Sequence, residues 1–276
     1  MESHMEKKTL GVTTACYVGF TLEDALRGIS EAGFPCVEIV AANGIPGAEH
    51  IQPNSITDKE IVSLKRKVAD ANLQLISLAG YSDLTKPESV AYTKKCLDVA
   101  EKLGVKVITT GCGRDASKEA VNQFYENMEE LGEYALDKGV TIGVETHGGI
   151  TPTGKHVSEA IRKIDSKAVR INYDTGNVIY FGGAKPEEDL KYALEYLVHL
   201  HLKDNIGGQG SYNFPPLGQG NVDFDSIFEI LQENHYSGGF SVEIEYQRST
   251  QKTIELIDQG LASSFNFLDD LFTRKS

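Results

Sequence analysis

Four residues have the types and the spacing to hold a cation between them. Glu145 lies in Val144-Glu145-Thr146-His147-Gly148-Gly149 and Asp174 in Asn172-Tyr173-Asp174-Thr175-Gly176-Asn177. His201 lies in His199-Leu200-His201-Leu202-Lys203-Asp204 and Glu243 in Val242-Glu243-Ile244-Glu245. Each sits near the carboxyl end of a short, otherwise apolar, β-rich run. A lone acidic residue there ordinarily caps the next helix or meets solvent, but four in consecutive runs weaken that account. Three carboxylates gathered in one place repel one another, and a divalent cation removes most of that penalty. Three oxygen donors with one imidazole form a fairly hard set, suited to one Mn2+ ion, with Mg2+, Co2+ or Zn2+ as alternatives.

Residues two apart on a strand share a face. His147 is therefore expected beside Glu145 and nearer the opening, with Lys203 likewise beyond His201. Both are candidate substrate contacts or proton carriers, although Lys203 could instead form a rim salt bridge with Glu245 or Asp204. His199, deeper on the same face, reads as a hydrogen-bonded core histidine. Of the pair Glu243 and Glu245, Glu243 is the expected ligand.

The chemistry that fits such a set is removal of a proton next to a carbonyl. An ion polarises the carbonyl of a small sugar-like substrate and stabilises the enediolate that forms. Glu145 and Glu243 are then the expected base and acid. Return of the proton to the opposite face epimerises that carbon, and return to the neighbouring carbon interconverts aldose and ketose. Loss of a β-hydroxyl, with His147 or Lys203 as the acid, makes the same site a lyase. A barrel that only binds a metabolite is a third reading.

These residues need a scaffold that lines up strand ends, and the periodicity supplies one. Strand patterns over 10–19, 36–42, 74–82, 105–113, 140–149, 169–177, 198–205 and 239–246 alternate with amphipathic helix patterns. The helices are read over 21–33, 57–73, 87–104, 118–139, 154–164, 186–197, 224–236 and 253–272. Eight such pairs predict a single α/β domain over 9–276, a closed (β/α)8 (TIM) barrel whose function gathers at the carboxyl ends of its strands. An open doubly wound sheet is the alternative, but Tyr17-Val18-Gly19-Phe20-Thr21 after the first strand is no Gly-rich phosphate turn. The longest irregular stretch, 205–222, holds five Gly, two Pro, Tyr212 and Phe214. It falls where a lid would lie, or is simply a long loop.

The chain has 276 residues and a formal net charge of −13, with no basic cluster. That balance argues against nucleic acid or an anionic membrane as partner. No apolar run is long enough to span a bilayer. Four scattered cysteines, Cys16, Cys36, Cys96 and Cys112, suggest reduced thiols and a cytoplasmic protein. Residues 1–8 read as a disordered N-terminal segment in which Ser3-His4-Met5 looks like a tag remnant. No organic-cofactor fingerprint is present. The expected partner is a small-molecule sugar, and the exposed outer helices leave a homo-oligomer open.

At these motifs the chain resembles the xylose isomerase-like sugar phosphate isomerase/epimerase superfamily, which includes the family 2 AP endonucleases. The resemblance spans nearly the whole chain. Its firmest marks are Asp174-Thr175-Gly176-Asn177, His201-Leu202-Lys203-Asp204, Val242-Glu243 and Leu217-Gly218-Gln219-Gly220-Asn221-Val222-Asp223-Phe224. It implies metal binding by Glu145, Asp174, His201 and Glu243. Ketose 3-epimerases commonly carry a substrate-binding His where this chain has Asn177, and an Arg where Gly207 and Gly208 follow Asp204. The His-x-Lys-Asp signature looks closer to inosose dehydratases and keto-sugar-processing branches. The three-metal AP endonucleases need further His ligands, one of them at Asn177, which with the acidic surface sets DNA repair aside.

Overall fold

The computed structural model describes residues 9–43 and 50–274; the expected N-terminal segment over 1–8 lies outside them. Eight parallel strands close into a barrel in chain order: β1 (Leu10–Thr13), β2 (Cys36–Val40), β3 (Gln74–Ala79), β4 (Val107–Thr110), β5 (Thr141–Glu145), β6 (Val169–Asp174), β7 (Leu197–Leu202) and β8 (Gly239–Val242). The ring is sealed by β1 pairing with β8, with Leu10 opposite Phe240 and Val12 opposite Val242. Outside it run α1 (Leu22–Glu31), α2 (Asp58–Asp70), α3 (Ser89–Leu103), α4 (Lys118–Lys138), α5 (Gly154–Ile164), α6 (Thr175–Tyr180), α7 (Pro186–Ala193), α8 (Phe224–Glu233) and α9 (Ile254–Arg274).

The helix starts follow from local chemistry. Thr21 and Asp24 form a reciprocal capping box at α1, and Thr57 and Glu60 form one at α2. Ser117 caps α4, which ends on Gly139 in the left-handed conformation.

All eight strands end short of the sequence pattern, and at two of them the local reason is plain. The run after Thr13 turns into a 3-10 helix over Thr14–Tyr17, with the Thr13 hydroxyl accepting from the Ala15 amide. The run after Asp174 becomes α6, because Asp174 itself caps that short helix. Period-2 apolarity does not register such a cap, so the sequence reading carried both strands too far.

Strand alternation divides the barrel into two environments. Val12, Val37, Ile39, Leu78, Ile108, Ile142, Val144, Ile171, Leu200, Leu202 and Val242 join the helices in one apolar core. The intervening positions are polar and buried: Thr13, Glu38, Ser77, Thr109, Glu145, Asn172, Asp174, His199, His201 and Ser241. The register places several of these side by side, with Glu145 opposite Asn172, Asp174 opposite His201 and His201 opposite Ser241. Apolar burial outside holds the ring closed while its lumen carries charge. Among the described residues no helix is long and apolar enough to cross a membrane, and all four cysteines are buried and outside any disulfide.

Candidate metal centre

The four residues singled out by sequence converge at the carboxyl ends of β5 to β8. Glu145, Asp174, His201 and Glu243 offer ligand atoms that all lie within 4.8 Å of one another. His201 Nδ1 is 2.8 Å from Glu145 Oε1, 3.3 Å from Glu243 Oε2 and 4.0 Å from Asp174 Oδ2. Donors about 2.1 Å from a shared octahedral ion stand roughly 3 Å apart when adjacent and roughly 4.2 Å apart when opposite, so these spacings fit one ion.

Hydroxyl staples hold the strand ends in register. Thr146 Oγ1 accepts the Asp174 amide at 2.7 Å, and Thr175 Oγ1 accepts the Lys203 amide at 2.9 Å while donating to the Lys203 carbonyl at 2.7 Å. Asp174 divides its two oxygens. Oδ1 accepts the amides of Gly176 and Asn177 at 2.9 and 2.7 Å, so the ordinary capping role is real. Oδ2 is buried with no hydrogen-bond partner among the described residues, and so is Glu243 Oε2. Lys203 Nζ stands 3.7 and 3.4 Å from these two oxygens, too far to satisfy them by hydrogen bonding, and carboxylate oxygens buried without hydrogen bonds are expensive. Together with the hard donor set, they fit a divalent ion.

Charge accumulates around this point. Burial, reinforced by Glu145 and Glu243, raises the Asp174 carboxyl well above its ordinary range against the pull of Lys203 and His201. Burial would raise Glu243 too, but Lys203 and His201 outweigh it and hold that carboxyl low. His201 is lowered by burial and raised further by Glu38, Glu145 and Glu243, ending well above a normal histidine.

The remaining expected residues fall around the mouth. Lys203 is buried and reaches Glu245 Oε2 at 2.5 Å, Glu243 Oε2 at 3.4 Å and Asp174 Oδ2 at 3.7 Å. The salt bridge to Glu245 therefore forms, inside the site instead of on the rim. Gly176 makes room for it, since a Cβ there would stand 2.9 Å from Lys203 Cγ. His147 packs on Phe181 with ring centroids 4.5 Å apart, and its Nδ1 is buried without a partner. Burial lowers its pKa, which leaves the ring neutral. His199 is a core histidine, with Nε2 2.9 Å from Ser241 Oγ.

Sequence reasoning missed Glu38, Glu245 as a partner of Tyr212, and the aromatic wall. Glu38, from β2, meets His201 Nε2 at 2.8 Å. The available signal is a lone carboxylate in the middle of the apolar run Cys36-Val37-Glu38-Ile39-Val40, far in sequence from strands five to eight. The 205–222 stretch forms a tethered wall beside the cluster. Asp204 accepts four of its amides, Phe214 pairs with Glu245 through the backbone, and Tyr212 donates to Glu245 Oε1 at 2.9 Å. Tyr180, Phe181, Tyr212 and Phe214 form one edge-to-face cluster beside Lys203.

A closed eightfold barrel with an acidic, histidine-containing cluster at its strand ends defines a class of protein, and comparison with known sequences places this one within it. Residues 26–270 match the family model for xylose isomerase-like TIM barrels, and the chain belongs to that family. It is 29% identical over 282 residues to an inosose dehydratase of Clostridium botulinum, covering 87% of each chain. It superposes with a TM-score of 0.75 on D-psicose 3-epimerase from Clostridium cellulolyticum, 17% identical, over 96% of this chain and 99% of that one. A xylose isomerase-like TIM barrel protein of Mycobacterium smegmatis in complex with magnesium gives a TM-score of 0.73 at 17% identity, over 95% and 97%. The two structural likenesses speak for the fold alone.

Proposed function

We propose that the chain is a divalent-metal-dependent isomerase or epimerase of a small keto-sugar, with Glu145, Asp174, His201 and Glu243 as the ligands of one ion, Mn2+ first among the candidates. The observation that carries this reading is the pair of carboxylates, Glu145 at the end of β5 and Glu243 just past β8, both brought to one imidazole nitrogen of His201 on β7. When bound, the ion supplies Lewis acidity at a carbonyl oxygen.

The chain's own groups supply the rest. One carboxylate oxygen of Glu145 takes the proton from the carbon next to the carbonyl, and Glu243, ionised at rest, relays a proton taken up from water to the other side. The Lys203 ammonium lies beside Glu243 and faces the same space, where it can hold a substrate oxygen as charge develops. His147 Nδ1 is free to bond a hydroxyl. The wall of Phe181, Tyr212 and Phe214 excludes water from one flank and offers apolar ring faces to sugar C–H groups.

A second reading, dehydration of an inosose or keto-sugar, draws support from the inosose dehydratase relative and from Lys203 and His147 as nearby groups for a departing hydroxyl. The two share the first proton removal and diverge afterwards. Incubation with keto-sugars and inososes in D2O, followed by NMR, separates them. Deuterium at the carbon next to the carbonyl with an inverted or isomerised product supports the first, and an unsaturated or dicarbonyl product supports the second. Glu145→Gln is expected to abolish turnover while preserving the fold; substantial activity in that variant would sink the proposed role.

A further inference from the structure

Glu38 belongs to none of the four ligand strands, yet it grips the same imidazole from the far side. It is fully buried, its Oε2 is 2.8 Å from His201 Nε2, and its Oε1 accepts the Thr109 hydroxyl at 2.7 Å. An ionised carboxylate offers only lone pairs, so His201 Nε2 must carry the hydrogen between them. Nδ1, on the opposite edge of the ring, faces Glu145 Oε1 at 2.8 Å and Glu243 Oε2 at 3.3 Å, so it is the nitrogen whose proton an ion among those carboxylates would displace to gain a lone pair. Thr109 fixes the carboxylate, the carboxylate fixes the ring, and the ring turns Nδ1 toward Glu145, Glu243 and Asp174.

We propose that Glu38 is a positioning residue of the metal centre: it holds His201 in the Nε2–H tautomer with Nδ1 aimed at the ion, and so sets the affinity of the site. The inference rests on reading Glu145, Asp174, His201 and Glu243 as the ligands. Carboxylates that orient a ligating histidine raise its basicity, and their loss typically weakens metal binding about 10–100-fold.

A rival arrangement uses Glu38 as a ligand, since Glu38, His199 and His201 also offer atoms within 4.8 Å of one another. The hydrogen bonding disfavours it. Both Glu38 oxygens are engaged, by Thr109 and His201, and His199 Nε2 is held by Ser241. The oxygens left without a hydrogen bond among the described residues belong to Asp174 and Glu243 instead.

The test is calorimetric titration of the metal-free protein with MnCl2, paired with the visible spectrum of the Co2+-loaded protein. It compares wild type, Glu38→Ala, Glu38→Gln and Glu243→Gln. Mn2+ affinity in Glu38→Ala is expected to fall about 10–100-fold, with a shifted Co2+ spectrum and an unchanged circular dichroism. Glu38→Gln keeps an acceptor oxygen but loses the charge, so it should fall between that variant and wild type. It also decides the matter alone if Glu38→Ala does not fold. Wild-type affinity and spectrum in folded Glu38→Gln, with only a lowered Tm, would mean a merely structural role and overturn the proposal. Ion binding that survives Glu243→Gln but vanishes in both Glu38 variants would make Glu38 a ligand, and would also overturn it. A wild-type protein that binds no ion would remove the four-ligand reading itself, a failure visible before any substitution.

Discussion

Lys203 Nζ lies 2.5 Å from Glu245 Oε2, so two residues that follow the ends of neighbouring strands close an ion pair inside the mouth of the barrel. Burial works against the ammonium, but Glu243, Glu245 and Asp174 outweigh it and hold its pKa well above the ordinary lysine range. A group held so firmly charged is poorly matched to shuttling protons near neutral pH. In the proposed reaction it would serve as a fixed positive charge next to a developing oxyanion. Lys203→Met is therefore expected to lower kcat by about 10²–10³, the usual loss for one such donor. Metal content should be retained, because the variant removes a competing cation and no ligand. Loss of the ion in that variant, seen by elemental analysis, would show that Lys203 instead holds the carboxylates in place.

His147 invites a different split. Its ring is neutral and packed on Phe181, and its Nδ1 has no partner among the described residues. A single hydrogen bond from a sugar hydroxyl is worth about 1–3 kcal/mol when the alternative is an unpaired buried group. His147→Leu is expected to raise KM about 10–100-fold with little change in metal affinity. A fall in kcat at constant KM would instead assign His147 to proton transfer.

The cluster of Glu145, Asp174, His201 and Glu243 was legible in the sequence because its members close successive apolar runs, where a charged residue breaks a visible pattern. Glu38 breaks such a pattern too, but its role depends on closure of the ring, which brings β2 across the lumen from β7. No local period encodes that distance. The double duty of Asp174 was likewise hidden: one oxygen caps α6 and the other stays free, and only geometry can divide a side chain that way. The inward polar layer of Ser77, Thr109, Asn172 and Ser241 is spread one residue per strand, so it never forms a motif.

Metal binding should release protons. In the metal-free protein Asp174 and His201 both have raised pKa values, the first through burial and like charge, the second through its flanking carboxylates despite burial. Both hold protons at neutral pH that an incoming ion must displace, so Mn2+ affinity is expected to rise with pH, by up to about tenfold per unit for each proton released. Stability follows the same sign. Groups whose folded pKa is raised stabilise the fold below their unfolded pKa, and that contribution is lost as pH climbs through the folded value. Glu38 and Glu243, held low, are already ionised in both states above about pH 6 and add no slope there. The gap in Tm between Mn2+-loaded and metal-free protein should therefore widen from about pH 6 to about pH 8. A gap that narrows over that range would contradict protonated ligands in the metal-free site.

Asp204 organises the wall beside the acidic cluster. Oδ1 accepts the amides of Asn205 and Val222 at 2.9 and 3.1 Å, and Oδ2 accepts those of Gly218 and Gly220 at 3.0 and 2.8 Å. The carboxylate thus ties both ends of the 205–222 stretch to the end of β7, which is how a run with five glycines keeps one shape. Removing it leaves four amides to find other partners. With charged hydrogen bonds worth about 1.5–3 kcal/mol each and partial rescue by water, Asp204→Ala should destabilise the protein by about 3 kcal/mol. For a chain of this size that is a Tm lower by roughly 6–12 °C. Gly220→Ala should act in the same direction, because the added methyl would collide with Asp204 Oδ1 and approach the Asn205 carbonyl. Both variants loosen Tyr212 and Phe214, so KM should rise while Mn2+ affinity stays near wild type. Limited proteolysis is the check: new cleavage confined to 205–222 supports the tether, and an unchanged digestion pattern with unchanged Tm would show that the wall stands without it.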